Sequence, residues 1–378
     1  MTASCQIEGT AAIEPFAIEV PAADLEDLHD RLARARWPDA MPGAGWERGV
    51  PLDYLKDLAE YWRRQYDWRA AEAELNALPQ FRTTIDGQRF HFLHLRSRRD
   101  DAIPLLLLHG WPGSIVVYLD LIGWLSDDFH VVVPSLPGHG FSGPITEPGW
   151  TDGRMAQAFL ELMTRLGYER FGAQGHDTGA FIAPEMGRAA PERLIGVHLN
   201  ALITMPGSDT EGLTEREQER LAHHRRFRET GMGYAQIQGT RPQTIAYGLT
   251  DSPVAQLAWI VEKFKEWTDP ARELPDEAVG RDRLLTNVML YWLTRSARSA
   301  ATATYERFRD PAMWRPKPRS RVPTAVAVFA TDVAIRRFAE PEHTIVRWTE
   351  FDRGGHFAAL EAPDLVAADL RSFFSSID

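Results

Sequence analysis

From Ala102 onward the chain runs through a succession of short, continuous apolar segments, and this pattern limits the fold more than any other feature. "IPLLLLHG", "FHVVVPSLPG", "RFGAQG" and "LIGVHLNAL" each end in Gly, Pro or Asn, with helix-length amphipathic stretches such as "GRMAQAFLELMTRLG" between them. Strands that are apolar on both faces and alternate with helices form a parallel sheet covered on both sides. The pattern returns in "PTAVAVFATD" and "TIVRWTEFDRGGH", and "APDLVAADLRSFFSSI" closes the chain as an amphipathic helix. Between these blocks, from about Met205 to Arg321, strand signals vanish. That stretch reads as helical and carries Trp259, Trp267 and Trp292. An insertion of this kind is most simply a cap over the ligand-binding end of the sheet.

The segment before the first core strand reads differently. "PAADLEDLHDRLARARWPDA" opens on Pro21, carries acids early and arginines late, and spaces Leu25, Leu28, Leu32 and Ala35 on one helical face. "PLDYLKDLAEYWRRQYDWRAAEAELNAL" continues as helix, and "QFRTTIDGQRFHFLHLRS" reads as a hairpin about an Asp86-Gly87 turn. The expected organisation is an N-terminal segment (1–99) wrapping the core, a first core block (100–205), a helical cap (206–321) and a second core block (322–378).

Composition narrows the function classes. A chain of 378 residues with 44% hydrophobic and 25% charged residues has globular composition and buries a core without disulfide or metal staples. Its single cysteine, Cys5, cannot form an internal disulfide, which fits a reducing, cytoplasmic location. The formal net charge of -11 argues against nucleic acid and anionic membrane as partners. The first thirty residues carry charges and no long apolar run, so neither a secretory signal nor a membrane anchor is expected. A homodimer is left open.

The chemistry concentrates in "RFGAQGHDTGAFIA": strand, then Gly175-His176-Asp177-Thr178-Gly179, then helix. This is the small-x-nucleophile-x-small elbow, a sharp turn that presents its middle side chain above a sheet. The usual occupant is serine, and no G-x-S-x-G occurs elsewhere in the chain. A carboxylate in that place attacks an sp³ carbon bearing a leaving group and gives an alkyl ester, which is then hydrolysed. The rival reading is a polar turn with Asp177 as an ordinary helix N-cap. In "LLLLHGWPGS" the turn after a strand offers a backbone N–H at Trp111, since Pro112 has none. With the amide of Thr178 it makes a two-donor oxyanion hole.

A histidine on a Gly-Gly loop after the last strand, His356 in "FDRGGHFAALEAPDL", is placed to deprotonate water near neutral pH. Asp332 ends a strand in "TAVAVFATDVAIRRF" and suits the carboxylate that orients the imidazole. Its rival role is the N-cap of a following helix. Glu350 and Asp352 are too near His356 in the chain to come from a separate strand end. The cap should add an acid that protonates a leaving alkoxide. A tyrosine hydroxyl, with a pKa of about 10, can do so without ionising at pH 7. Tyr234, Tyr247, Tyr291 and Tyr305 are the cap candidates, and the residues alone do not choose among them.

Together these segments resemble microsomal-type epoxide hydrolases over nearly the whole length. The resemblance rests on "LARARWPD", "LLLHGWPGS", "VPSLPGHGFS", "GHDTG", "GYAQIQGTRPQTIAYGLTDSPVAQLAWIVEKFKEW", "LLTNVMLYWLT" and "RGGHFAALEAPDL". It implies an α/β-hydrolase fold with a mostly parallel eight-stranded sheet, a helical cap and a wrapping N-terminal segment. It implies Asp177 as nucleophile, His356 as base, Asp332 as its partner, and two cap tyrosines on the epoxide oxygen. Tyr234 in "GMGYAQIQGT" matches the first. Tyr305 is the nearest match to the second, one place later than the family spacing, with Thr304 in the expected place. Thr178 stands where relatives commonly carry tryptophan.

The implied substrate is a small hydrophobic epoxide with water, no cofactor and no metal, in detoxification or natural-product biosynthesis. The alternatives weighed are a haloalkane dehalogenase-like hydrolase and an inactive ligand-binding homologue.

Overall fold

The computed structural model describes residues 12–205 and 210–377; Cys5 lies outside them. Nine strands form one sheet: β1 (Glu14–Pro15), β2 (Gln80–Ile85), β3 (Gln88–Leu95), β4 (Ile103–Leu108), β5 (Phe129–Pro134), β6 (Phe171–His176), β7 (Leu194–Asn200), β8 (Pro323–Val328) and β9 (Thr344–Glu350). Their order is β1-β2-β3-β5-β4-β6-β7-β8-β9. The six strands from β5 to β9 are parallel, and β1 to β3 join antiparallel at one edge. The sheet is the expected mostly parallel one, extended by the two-residue β1, which pairs Glu14 with Arg82.

Both faces of the central strands are buried. Leu105 and Leu107 of β4, with Val131 and Val133 of β5, belong to the core on one face. Leu106, Leu108 and Val132 belong to the core on the other. Period-two alternation therefore sends each apolar run into two cores. Each fully buried Leu or Val contributes roughly 1.5–3 kcal/mol.

Helices α1 (Ala22–Ala33), α2 (Leu52–Arg64) and α3 (Trp68–Asn76) precede β2. The predicted apolar stripe of α1 buries Leu28 and Leu32, while Ala35 lies just past its end. The Asp86-Gly87 turn joins β2 to β3, with φ of 50° and 73° at the two residues. Helices α4 (Leu119–Leu125), α5 (Asp152–Arg165) and α6 (Thr178–Ala189) cross between core strands. Among the described residues, seven α-helices follow between β7 and β8: α7 (Glu215–Arg226), α8 (Gly233–Thr240), α9 (Pro242–Asp251), α10 (Pro253–Trp267), α11 (Pro275–Val279), α12 (Arg281–Leu293) and α13 (Ala297–Arg309). The chain ends with α14 (Arg336–Ala339), α15 (Ala358–Glu361) and α16 (Pro363–Phe374). Among the described residues, no helix is long and apolar enough to cross a membrane.

Candidate active site

Parallel strands that share a direction release their connecting turns at one end of the sheet. The turns after β4, β6, β8 and β9 carry Trp111, Asp177, Asp332 and His356 respectively.

Asp177 sits between β6 and α6 with φ 53° and ψ -114°, a conformation that non-glycine residues avoid at a cost of about 1–3 kcal/mol. The neighbours explain how it is held. A Cβ on Gly175 would stand 2.2 Å from the Gly179 carbonyl oxygen, and one on Gly179 would stand 2.0 Å from the Leu108 carbonyl oxygen. A Cβ on Gly110 would stand 2.0 Å from Asp177 Oδ1 itself. The Gly179 amide also donates to the His109 carbonyl at 3.0 Å, which ties the elbow to the turn after β4.

The two carboxylate oxygens of Asp177 face different surroundings. Oδ1 accepts from the amides of Trp111 (2.9 Å) and Thr178 (2.7 Å), and from the Thr178 hydroxyl (3.0 Å). Oδ2 faces His356, whose Nε2 is 3.5 Å away without the alignment of a hydrogen bond. The hydroxyl at 178 thus adds a third donor beyond the two amides that the sequence suggests.

His356 lies in an aromatic cage. Its ring is 4.5 Å from that of His176, 4.9 Å from Trp267 and 4.9 Å from Phe357. Burial lowers its pKa to about 3, so the imidazole is neutral at pH 7. Asp332 is buried where the chain turns after β8, and its Oδ2 accepts from the Phe329 amide at 2.9 Å. Burial raises its pKa to about 7, against the pull of the Phe329 and Ala201 amides and of Arg220. Among the described residues, no hydrogen bond or ion pair joins Asp332 to His356. The two loops meet indirectly: the Trp267 carbonyl accepts from both the His356 amide (2.8 Å) and the Thr331 hydroxyl (3.0 Å).

The four cap tyrosines have different surroundings. Tyr234 of α8 stacks on Trp111, with ring centroids 4.8 Å apart and planes 11° from parallel, and meets the edge of Trp267 at 5.3 Å. Burial and the charge of Asp177 hold its hydroxyl protonated by raising its pKa well above 10. Tyr291 is buried, but its hydroxyl is spent on the Gly113 carbonyl at 2.7 Å. Tyr247 is 69% exposed.

Tyr305 is half-buried on α13. The Arg309 guanidinium one turn further along α13 covers its ring at 3.9 Å. The residue before it, Thr304, faces α8 and donates to Gln238 Oε1 at 3.2 Å. The expectation for Tyr305 needed an inserted residue to restore the spacing. Residues Ala297–Arg309 run as continuous helix, so Thr304 and Tyr305 project about 100° apart around its axis.

Two cap residues at the site escaped the sequence reading as contributors. Trp267 touches His356, Tyr234 and Trp111. Lys263, buried and bonded to Glu266 at 2.6 Å, lies 5.0 Å over the Tyr234 ring. Their spacing, i and i+4 on α10, was the available signal. Among the described residues, no three His, Cys, Asp or Glu side chains gather as a metal site.

Comparison with known proteins follows the same outline. Residues 13–118 match the family model described as "Epoxide hydrolase N terminus", and residues 103–230 match that of the alpha/beta hydrolase fold. The chain is 44% identical to a protein of Stigmatella aurantiaca whose name places it among epoxide hydrolases, over 97% of this chain and 85% of that protein. The juvenile hormone epoxide hydrolase structure from the silkworm Bombyx mori superposes with a TM-score of 0.91 at 30% identity, covering 98% of this chain and 96% of that one. The epoxide hydrolase structure from Aspergillus niger gives a TM-score of 0.88 at 33% identity, covering 97% of each chain.

Proposed function

This chain belongs to the epoxide hydrolase family, and on that premise we propose that it opens a hydrophobic epoxide through an alkyl ester on Asp177. The observation that carries the assignment is the asymmetry of that carboxylate. Three donors hold Oδ1, and Oδ2 stays free of them on the side of His356.

Asp177 Oδ2 attacks a ring carbon, the carbon–oxygen bond of the epoxide breaks, and the oxygen takes the Tyr234 proton. The ester carbonyl oxygen is then Oδ1. His356 removes a proton from water, and the hydroxide adds to Cγ. Negative charge gathers on Oδ1, where the Trp111 and Thr178 donors already point, so little reorganisation is needed as charge develops. The Cγ–Oδ2 bond breaks, and the diol leaves with Oδ2 and the proton held by His356. Asp177 is regenerated with one oxygen from water, and its remaining proton restores the Tyr234 hydroxyl. Asp332 is assigned to the imidazolium that forms transiently on His356. Its support is its position at the end of β8, beside β9, and the shared Trp267 carbonyl.

The aromatic wall of Trp111, Tyr234, Trp259 and Trp267 favours a hydrophobic substituent on the epoxide. The net charge of -11 and the lone cysteine support a cytoplasmic enzyme that binds neither nucleic acid nor membrane.

The test uses His356→Gln with styrene oxide, followed by rapid acid quench and mass spectrometry. One substrate mass should appear on the peptide bearing Asp177 and persist. Absence of that adduct, in a folded variant that still consumes the epoxide, contradicts the assignment.

A further inference from the structure

Four successive backbone amides of the loop that carries the base are each engaged from outside the loop. The Gly354 amide donates to Asp269 Oδ2 at 2.8 Å, and the Gly355 amide to Glu361 Oε2 at 3.1 Å. The His356 amide donates to the Trp267 carbonyl at 2.8 Å, and the Phe357 amide to Glu361 Oε1 at 3.0 Å. Glu361 Oε2 also accepts from the Asp269 amide at 2.7 Å. One carboxylate therefore grips the residues on both sides of His356 and fastens them to the segment leaving α10. The fit is tight, since a Cβ on Gly355 would lie 2.5 Å from the Trp267 carbonyl oxygen.

We propose that Glu361, with Asp269, is a positioning residue for the ester-hydrolysis step, holding His356 against Asp177 through the loop backbone. This rests on the covalent reading above. Several observations point to it. Among the described residues His356 has no hydrogen-bonded partner at Nε2 and no hydrogen bond to Asp332, so its placement depends on its backbone and its ring cage. The Glu361 carboxylate accepts three hydrogen bonds, from the backbone amides of Asp269, Gly355 and Phe357. The same α10 exit carries Trp267, whose ring contacts both His356 and Tyr234. The clamp thus registers the cap against the base loop, while the oxyanion donors are set by a separate frame of β4 and β6.

This separation gives a readout that general loss of structure does not share. Alkylation requires Asp177 and Tyr234, whereas ester hydrolysis requires a correctly aimed His356. Misplacing a catalytic group by about 1 Å costs roughly 10²-fold.

The experiment is single-turnover quench-flow on the full-length enzyme in excess over styrene oxide, comparing wild type with Glu361→Gln and Asp269→Asn. Folding is checked by thermal melting. In Glu361→Gln, ester formation should stay within about twofold of wild type while ester decay slows by about 10- to 100-fold, so that the adduct accumulates in the steady state. Asp269→Asn weakens one of the four amide contacts and should show the same split to a smaller extent. Unchanged decay in a folded Glu361→Gln, or equal slowing of both steps, overturns the proposal. If Glu361→Gln does not fold, the split in Asp269→Asn decides in the same way. A wild-type enzyme that forms no ester on Asp177 would instead overturn the covalent reading.

Discussion

The elbow at Asp177 and helix α13 both carry residues expected to take part in the chemistry, yet they were constrained by different physics. At the elbow, Gly110, Gly175 and Gly179 stand where any Cβ would enter backbone or the Asp177 carboxylate itself. Each residue type there follows from a steric requirement that cannot slide along the chain. In α13, one residue of register decides whether Thr304 or Tyr305 faces inward, and "ATATY" carries nothing bulky before the tyrosine to fix that choice. Backbone-determined positions can be read from residue type, whereas helix-face positions require the register as well.

The largest expected effect tests the rigid side. Gly179→Ala forces β4 and α6 apart at a 2.0 Å contact, so turnover should fall below detection and the melting temperature should drop. Near-normal activity would show that the elbow tolerates displacement. Next comes Tyr234→Phe, which removes the proposed proton donor and leaves the ring stacked on Trp111. It should lower kcat/KM by roughly 10²-fold, with the loss in ester formation.

A smaller effect concerns Asp332, whose pKa is raised to about 7 in the folded state from an ordinary value near 3.9 when unfolded. The folded state therefore holds the proton more tightly. This favours folding below the unfolded pKa, and the contribution is lost as pH rises through about 7. Asp332→Asn should raise the melting temperature at pH 8 and change it little at pH 4. A uniform shift at both pH values would contradict this. Smallest of all is Tyr305→Phe, expected to keep kcat and KM within about twofold of wild type. A loss comparable to that of Tyr234→Phe would make Tyr305 a second acid and break the comparison with the elbow.

The same distinction explains what was legible beforehand. The parallel core strands were readable because each is apolar on both faces, and the β2–β3 hairpin because Asp86 and Gly87 accept positive φ. The sharp turn at Asp177, the amide of Trp111 and the Gly-Gly loop of His356 were readable because glycine marks close approach. β1 was not, since two residues carry no periodicity and its pairing with Arg82 and Phe81 is long-range. The sorting of Tyr291 from Tyr234 was not readable either, because it turns on a hydroxyl reaching the Gly113 carbonyl across the chain. Glu361 looked like any acid at the end of a short helix. Its partners are backbone amides, which leave no trace in the residue pattern.

The central claim is that Asp177 Oδ2 becomes an oxygen of the diol while Oδ1 stays in the oxyanion hole. A single turnover in ¹⁸O-labelled water, with enzyme in excess over epoxide, tests this directly. The account predicts an unlabelled diol and one ¹⁸O atom on the peptide bearing Asp177. Label in the diol with none on that peptide would mean that water attacks the epoxide directly, and the covalent role of Asp177 would be wrong.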